Sequence, residues 1–165
     1  MTTTRTRTLT LAPAAGGAAG GVRPLDALYV VGALMLAAEA AVHVQQYAAI
    51  VHAVRWIGPL FLANAAASIV AAAGLAYERT RPLAALAGIA ISTSALAGLV
   101  LSYGPGFLGW VEGGWRTALT VALVSELGAV LALAAGLAGA ALLIDSADHA
   151  LERDADHLET AGQAA

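Results

Sequence analysis

The chain contains no cysteine, and all eight of its basic residues are arginine, so it has no lysine either. Without cysteine there can be no disulfide, no thiolate nucleophile, no CxxC redox pair and no thiolate-bound metal. Charge is also scarce. Charged residues make up 12% of the 165 positions, about half the share of an ordinary soluble domain. A net charge of −3 leaves no basic footprint, and nucleic acid is not an expected partner.

What is present is apolar. Hydrophobic residues form 59% of the chain, 43 of them alanine, and the mean hydropathy is +0.77. A membrane helix needs about 20 mostly apolar residues to cross a hydrocarbon core of roughly 30 Å. Four stretches meet that requirement, at about 25–49, 57–77, 83–103 and 117–144. None alternates apolar and polar residues as a barrel strand does, so the spans read as helices. Pro59 and Pro82 fall in first helical turns, where a missing N–H breaks no helical bond. Gly104-Pro105-Gly106 ends the third span. The expected fold is all-α, a four-helix transmembrane bundle over residues 25–144 embedded in a lipid bilayer.

Arginine placement predicts orientation. Arg5, Arg7, Arg23, Arg79, Arg81 and Arg153 fall on one side of the spans, and Arg55 and Arg116 on the other. Both termini are therefore expected in the cytoplasm, with multi-pass insertion in the cell membrane. Residues 1–24, a Thr/Ala/Gly/Arg segment, read as a disordered low-complexity tail. No apolar run precedes Pro24, so the first span is expected to act as an uncleaved anchor. Residues 145–165 carry six acidic side chains and read as a solvated tail continuing the fourth helix. Its two Asp-His pairs, Asp148-His149 and Asp156-His157, fit a solvated acidic helix better than a metal site.

The informative residues are those that do not belong in lipid. Glu39 lies inside the first span and Glu126 inside the fourth, and a charged side chain at mid-bilayer costs about 2.5–3.5 kcal/mol on insertion scales. Both are expected to face the bundle interior. At 1.5 Å per residue, each lies roughly 15 Å below the outer end of its helix. Glu39, His43 and Gln46 share one helical stripe, and Asn64 and Ser68 share another. Ser92, Thr93 and Ser94 bring hydroxyls to the third span, of which Thr93 is assigned to the cluster. Ser125 stands beside Glu126. If the faces converge, Glu39, His43, Gln46, Asn64, Ser68, Thr93 and Glu126 form one buried polar cluster.

Three roles compete for that cluster. The first is interhelical glue, with bonds averaging about 0.6 kcal/mol each. The second is a proton or ion site, because intramembrane acids and histidine are what relays use. The third is a metal centre on Glu39, His43 and Glu126, a nitrogen and oxygen donor set without thiolate. No di-iron E-x-x-H spacing is present. His43 and His52 would lie on opposite faces of a continuous helix, which disfavours haem. No cofactor is expected.

Aromatic residues Tyr47, Trp56, Tyr103, Phe107, Trp110 and Trp115 gather near the proposed outer boundary, where they read as an interfacial belt. The competing reading makes Gly104–Gly114 a short lid over the cluster. Small residues at spacings of four, Gly128-Ala132-Gly136-Ala140 and Ala63-Ala67-Ala71, allow close helix approach inside the bundle or in a dimer.

The run Trp56-Ile57-Gly58-Pro59-Leu60-Phe61-Leu62-Ala63-Asn64 and the later Leu101-Ser102-Tyr103-Gly104, Gly106-Phe107-Leu108-Gly109-Trp110-Val111-Glu112 resemble a group of small actinobacterial four-helix integral membrane proteins. The resemblance covers about Leu25 to Ile144. It implies the topology and transfers no catalytic role, because no activity is assigned to that group. The leading functional expectation is non-enzymatic: an accessory subunit of a larger membrane complex, or a small stand-alone module, alone or as a homo-oligomer. A proton-coupled or ion-conducting protein using Glu39, His43 and Glu126 comes second. A metal-dependent membrane enzyme comes last, since no nucleophile, base and orienting group occur together.

Overall fold

The computed structural model describes residues 23–163, with side chains as far as Arg153. Most of the expected tail over residues 1–24 lies outside the described residues, as does the side chain of His157. The described elements are α1 (Pro24–Gln46), a π turn (Tyr47–Val51), α2 (Ile57–Gly74), α3 (Arg81–Tyr103) and α4 (Thr117–Gln163). All four helices are long and apolar enough to cross a membrane. Each packs on its neighbour in the chain, and α1 closes the ring against α4, the up-and-down arrangement that short loops impose.

Element boundaries depart from the sequence expectation in two places. The first span is an α-helix to Gln46 that widens into one π turn before His52. Its widening gives the chain a close passage at Gly58, where a Cβ would stand 2.8 Å from the Val51 carbonyl oxygen. α2 stops at Gly74, three residues short of the expected Tyr77, because Thr80 turns its hydroxyl back onto the Gly74 carbonyl at 2.7 Å. α4 continues without a break past residue 144 into the acidic tail, the continuation that the sequence reading expects.

The bundle has two unlike halves. Its lower half, toward Pro24 and the α2–α3 loop, is dry and tightly filled. Tyr29, Leu36, Ala71, Leu75, Ala84, Ala85, Ala129 and Leu133 form one buried apolar cluster. Glycines let the large members in. A Cβ on Gly88 would meet Leu133 at 2.7 Å and Leu36 at 3.0 Å, one on Gly128 would meet the Met35 sulfur at 2.9 Å, and one on Gly136 would meet Tyr29 at 3.0 Å. The glycines of the fourth-span ridge are thus occupied by α1. In the second-span ridge Ala71 is buried while Ala63 is exposed. At the lower rim Arg81 donates to Asp26 at 2.9 Å and to the Leu75 carbonyl at 3.1 Å, and lies over the Tyr29 ring. It thereby ties α1, α2 and α3 together. The outward surface is apolar, with Val70, Leu83, Val100 and Leu142 among the exposed side chains.

Candidate functional site

The upper half holds the polar residues. Glu39 has no solvent exposure (0%) and receives side chains from two other helices. Asn64 donates to one carboxylate oxygen at 2.8 Å, with the Ser68 hydroxyl 3.4 Å from the same atom. Ser92 donates to the other oxygen at 2.6 Å. A carboxylate is acceptor-only and can take all three donors, which suits Asn64 and Ser68 of α2 and Ser92 of α3 to the face they turn toward α1. The same three bonds fix the rotation of α1 relative to both neighbours.

One turn above, His43 is buried and its Nδ1 lies 2.9 Å from the Glu39 backbone carbonyl oxygen. A carbonyl accepts only, so Nδ1 carries the hydrogen and the neutral ring leaves a lone pair on Nε2. That lone pair faces Glu126, whose nearer oxygen is 3.9 Å away. Glu126 itself is 2% exposed, and its other oxygen has no hydrogen-bond partner. The ring of Phe61 packs against the imidazole with centroids 4.9 Å apart. One donor atom from each of Glu39, His43 and Glu126 falls within 4.8 Å of the other two. The sequence could place these residues on faces; their meeting is a finding of the structure.

Above this triad opens a cavity of about 240 Å3 whose lining includes His43, Gln46, Asn64, Arg116, Trp110 and Glu126. That is many times the space one water needs. Most of the remaining wall is apolar. Three buried polar atoms along it have no partner, namely Gln46 Nε2, Arg116 Nε and Glu126 Oε2. Buried polar groups in folded proteins are nearly always satisfied by protein or ordered water, and the cavity is the space in which these three can find a partner.

The roof is the loop between α3 and α4. Phe107 and Trp110 exchange two backbone hydrogen bonds of 2.8 Å, and the two residues between them, Leu108 and Gly109, have φ of 48° and 84°. Two positive φ values in a two-residue connection are those of a type I′ turn. Glu112 is anchored by its N–H to the Ser102 carbonyl at 2.9 Å. Its carboxylate then takes the Arg116 guanidinium at 2.7 Å, and Arg116 donates to the Gln46 side-chain Oε1 at 3.4 Å.

Of the residues expected in the cluster, Glu39, His43, Asn64, Ser68 and Glu126 come together, and Gln46 joins them through the cavity wall. Thr93 does not. It is exposed on the outer side of α3, and Ser92, one position earlier, takes its place because a helix turns about 100° per residue. Ser125, buried, spends its hydroxyl on the Ala122 carbonyl. The aromatic belt divides. Trp56, Tyr103 and Trp115 are exposed, as a belt requires. Phe107 and Trp110 instead line the cavity, while Tyr47 packs edge-on against His52. Glu112 and Arg116 are site residues that the sequence reading misses: Arg116 enters it only as a topological charge, and Glu112 only as the end of a motif. Their four-residue spacing just ahead of α4 was the available signal. No protein-family model, curated protein or solved structure matches the chain.

Proposed function

We propose that the protein is a stand-alone membrane module that binds a small amphipathic molecule in the upper-half cavity. The observation that carries this reading is the cavity wall itself, mostly apolar with three unpartnered buried polar atoms. Such a wall suits a ligand with an apolar body and a head that both accepts and donates hydrogen bonds. Gln46 and Arg116 offer donors near the roof, and Glu126 offers an acceptor at the floor. The tightly filled layer of Leu36 and Leu133 beneath the triad favours a closed binding pocket over a conduit for protons or ions. The use of Gly128 and Gly136 within the bundle favours a stand-alone module over an accessory subunit docked through that ridge.

The arginine bias supports a topology with both termini in the cytoplasm and the cavity mouth on the opposite face of the cell membrane. A reporter active only in the cytoplasm, fused to either terminus, is expected to report; silence at both would reverse the orientation.

The cavity reading is tested with Trp110 as the sole tryptophan, after Trp56→Phe and Trp115→Phe, in detergent-solubilised protein. Para-bromophenol is expected to quench Trp110 saturably. Ala122→Phe, which projects a ring into the cavity from a buried wall position, is expected to abolish the saturable component. Quenching that never saturates and is equal in both proteins would reduce the effect to partition into the micelle and overturn the reading.

A further inference from the structure

We infer that Glu39, His43 and Glu126 form a binding site for one first-row divalent cation at the floor of the cavity. The inference rests on the cavity reading for access and goes beyond it in chemistry.

Four observations carry it. First, three donor atoms from buried side chains lie within 4.8 Å of one another. Second, His43 donates Nδ1–H to a backbone carbonyl and leaves Nε2 free, which is how metal-binding histidines are oriented. Third, the 3.9 Å between that Nε2 and the Glu126 oxygen is too long for a hydrogen bond. It lies inside the roughly 4.4 Å that two donors can span when each is about 2.0–2.2 Å from one ion. Fourth, the second Glu126 oxygen is buried and unpartnered, leaving it available for coordination.

Charge agrees with geometry. Two carboxylates beside a neutral imidazole carry a charge that one divalent cation cancels, and in an apolar bundle an uncompensated pair is strongly disfavoured. Asn64, Ser68 and Ser92 hold the Glu39 carboxylate in place, as partners of a ligating carboxylate do. His43 and Glu126 line the cavity, so its space supplies the remaining coordination positions. One imidazole and two carboxylates without thiolate suit Zn2+, Mn2+ or Fe2+ rather than Cu+.

The test uses the full chain in detergent, dialysed against buffered Zn2+, with bound metal measured by mass spectrometry. One zinc per chain is expected. His43→Gln and Glu126→Gln, near-isosteric changes, are expected to weaken binding by at least about 100-fold. His149→Gln, an exposed histidine on α4 paired with Glu152, should leave it unchanged. Zinc X-ray absorption on the unmodified protein gives a second measurement independent of variant folding. A first shell of one imidazole plus oxygens is expected. Two or more imidazoles would place the metal elsewhere and overturn the site, as would substoichiometric zinc or binding unaffected by both triad variants. Para-bromophenol quenching of Trp110, run on the same preparations, separates the two ideas. If quenching saturates but zinc is absent, the metal site falls and the cavity stands. If zinc binds with the expected shell but quenching never saturates, the amphipathic-ligand reading falls instead.

Discussion

Removing the Glu39 carboxylate should loosen three helices at once. In Glu39→Ala, Asn64, Ser68 and Ser92 lose the acceptor they now share at 2.8, 3.4 and 2.6 Å. Interhelical hydrogen bonds measured in membranes average about 0.6 kcal/mol and reach about 1.7. The two short bonds and one long one therefore account for about 1.5–4 kcal/mol. Glu39 is fully buried, so truncation also leaves a cavity, which by analogy with large-to-small core changes adds about 2 kcal/mol. A loss of about 3.5–6 kcal/mol is expected.

Glu39→Gln keeps the shape. Its amide oxygen can accept from Asn64, and its NH2 can donate to Ser92, whose hydroxyl accepts as readily as it donates. The expected loss is under about 1.5 kcal/mol, within the range of one net hydrogen bond. The assay is reversible unfolding in mixed detergent followed by tryptophan fluorescence, with a double-mutant cycle between Glu39→Ala and Ser92→Ala. A coupling of about 0.6–1.7 kcal/mol is expected for that pair. Equal stability of Glu39→Ala and the unmodified chain, or zero coupling to Ser92, would refute the view that this carboxylate organises the upper half.

Other perturbations have definite expected outcomes. Gly88→Ala places a methyl 2.7 Å from Leu133 and should destabilise by about 1–3 kcal/mol through overpacking; in a thermal melt, adding Leu133→Ala should cost less than the sum of the single changes. Leu108, half exposed with φ of 48°, should gain about 1 kcal/mol on replacement by glycine, since an L side chain is disfavoured in that region. A melting temperature lowered by Leu108→Gly would contradict the type I′ turn. Arg81→Ala removes a partly solvated ion pair and a bond to the Leu75 carbonyl, an expected loss of about 1–2 kcal/mol. Arg81→Lys, which keeps the charge but not the Nε bond, should fall between, as read by chemical unfolding.

Much of this molecule is legible from residue order because a membrane imposes length and polarity rules that a single sequence reveals. The four spans follow from apolar runs of sufficient length, and the inward faces of α1 and α2 follow from the i, i+4 spacing of Glu39-His43 and Asn64-Ser68. The third span was not legible in the same way. In Ser92-Thr93-Ser94 every position offers a hydroxyl, so only the rotation of α3, set by Leu36 and Leu133 against Gly88, chooses Ser92 and turns Thr93 outward. The end of α2 depended on a single hydroxyl of Thr80 folding back, an event with no periodic signature. Residues 104–116 were the hardest. Their glycines and aromatics fit both a belt and a lid, and the turn centred on Leu108 and Gly109 assigns Phe107 and Trp110 to the cavity. Arg116 counted as a topological charge in the sequence, yet its guanidinium extends to Gln46.

The bundle divides into a tightly filled half and a cavity-bearing half, and within the second the polar bonds to Glu39 are distinct from the apolar side chains that shape the wall. The apolar layer around Leu36, Leu133 and the Arg81 tie lies below the triad, whereas Leu60 and Leu99 line the cavity above it. Substitution at these apolar wall positions can therefore drift while the bonds to Glu39 and the filled layer beneath keep the helices assembled. A bundle built this way is evolvable in its ligand preference, and the same partition makes it a practical scaffold for redesigning a pocket inside a membrane.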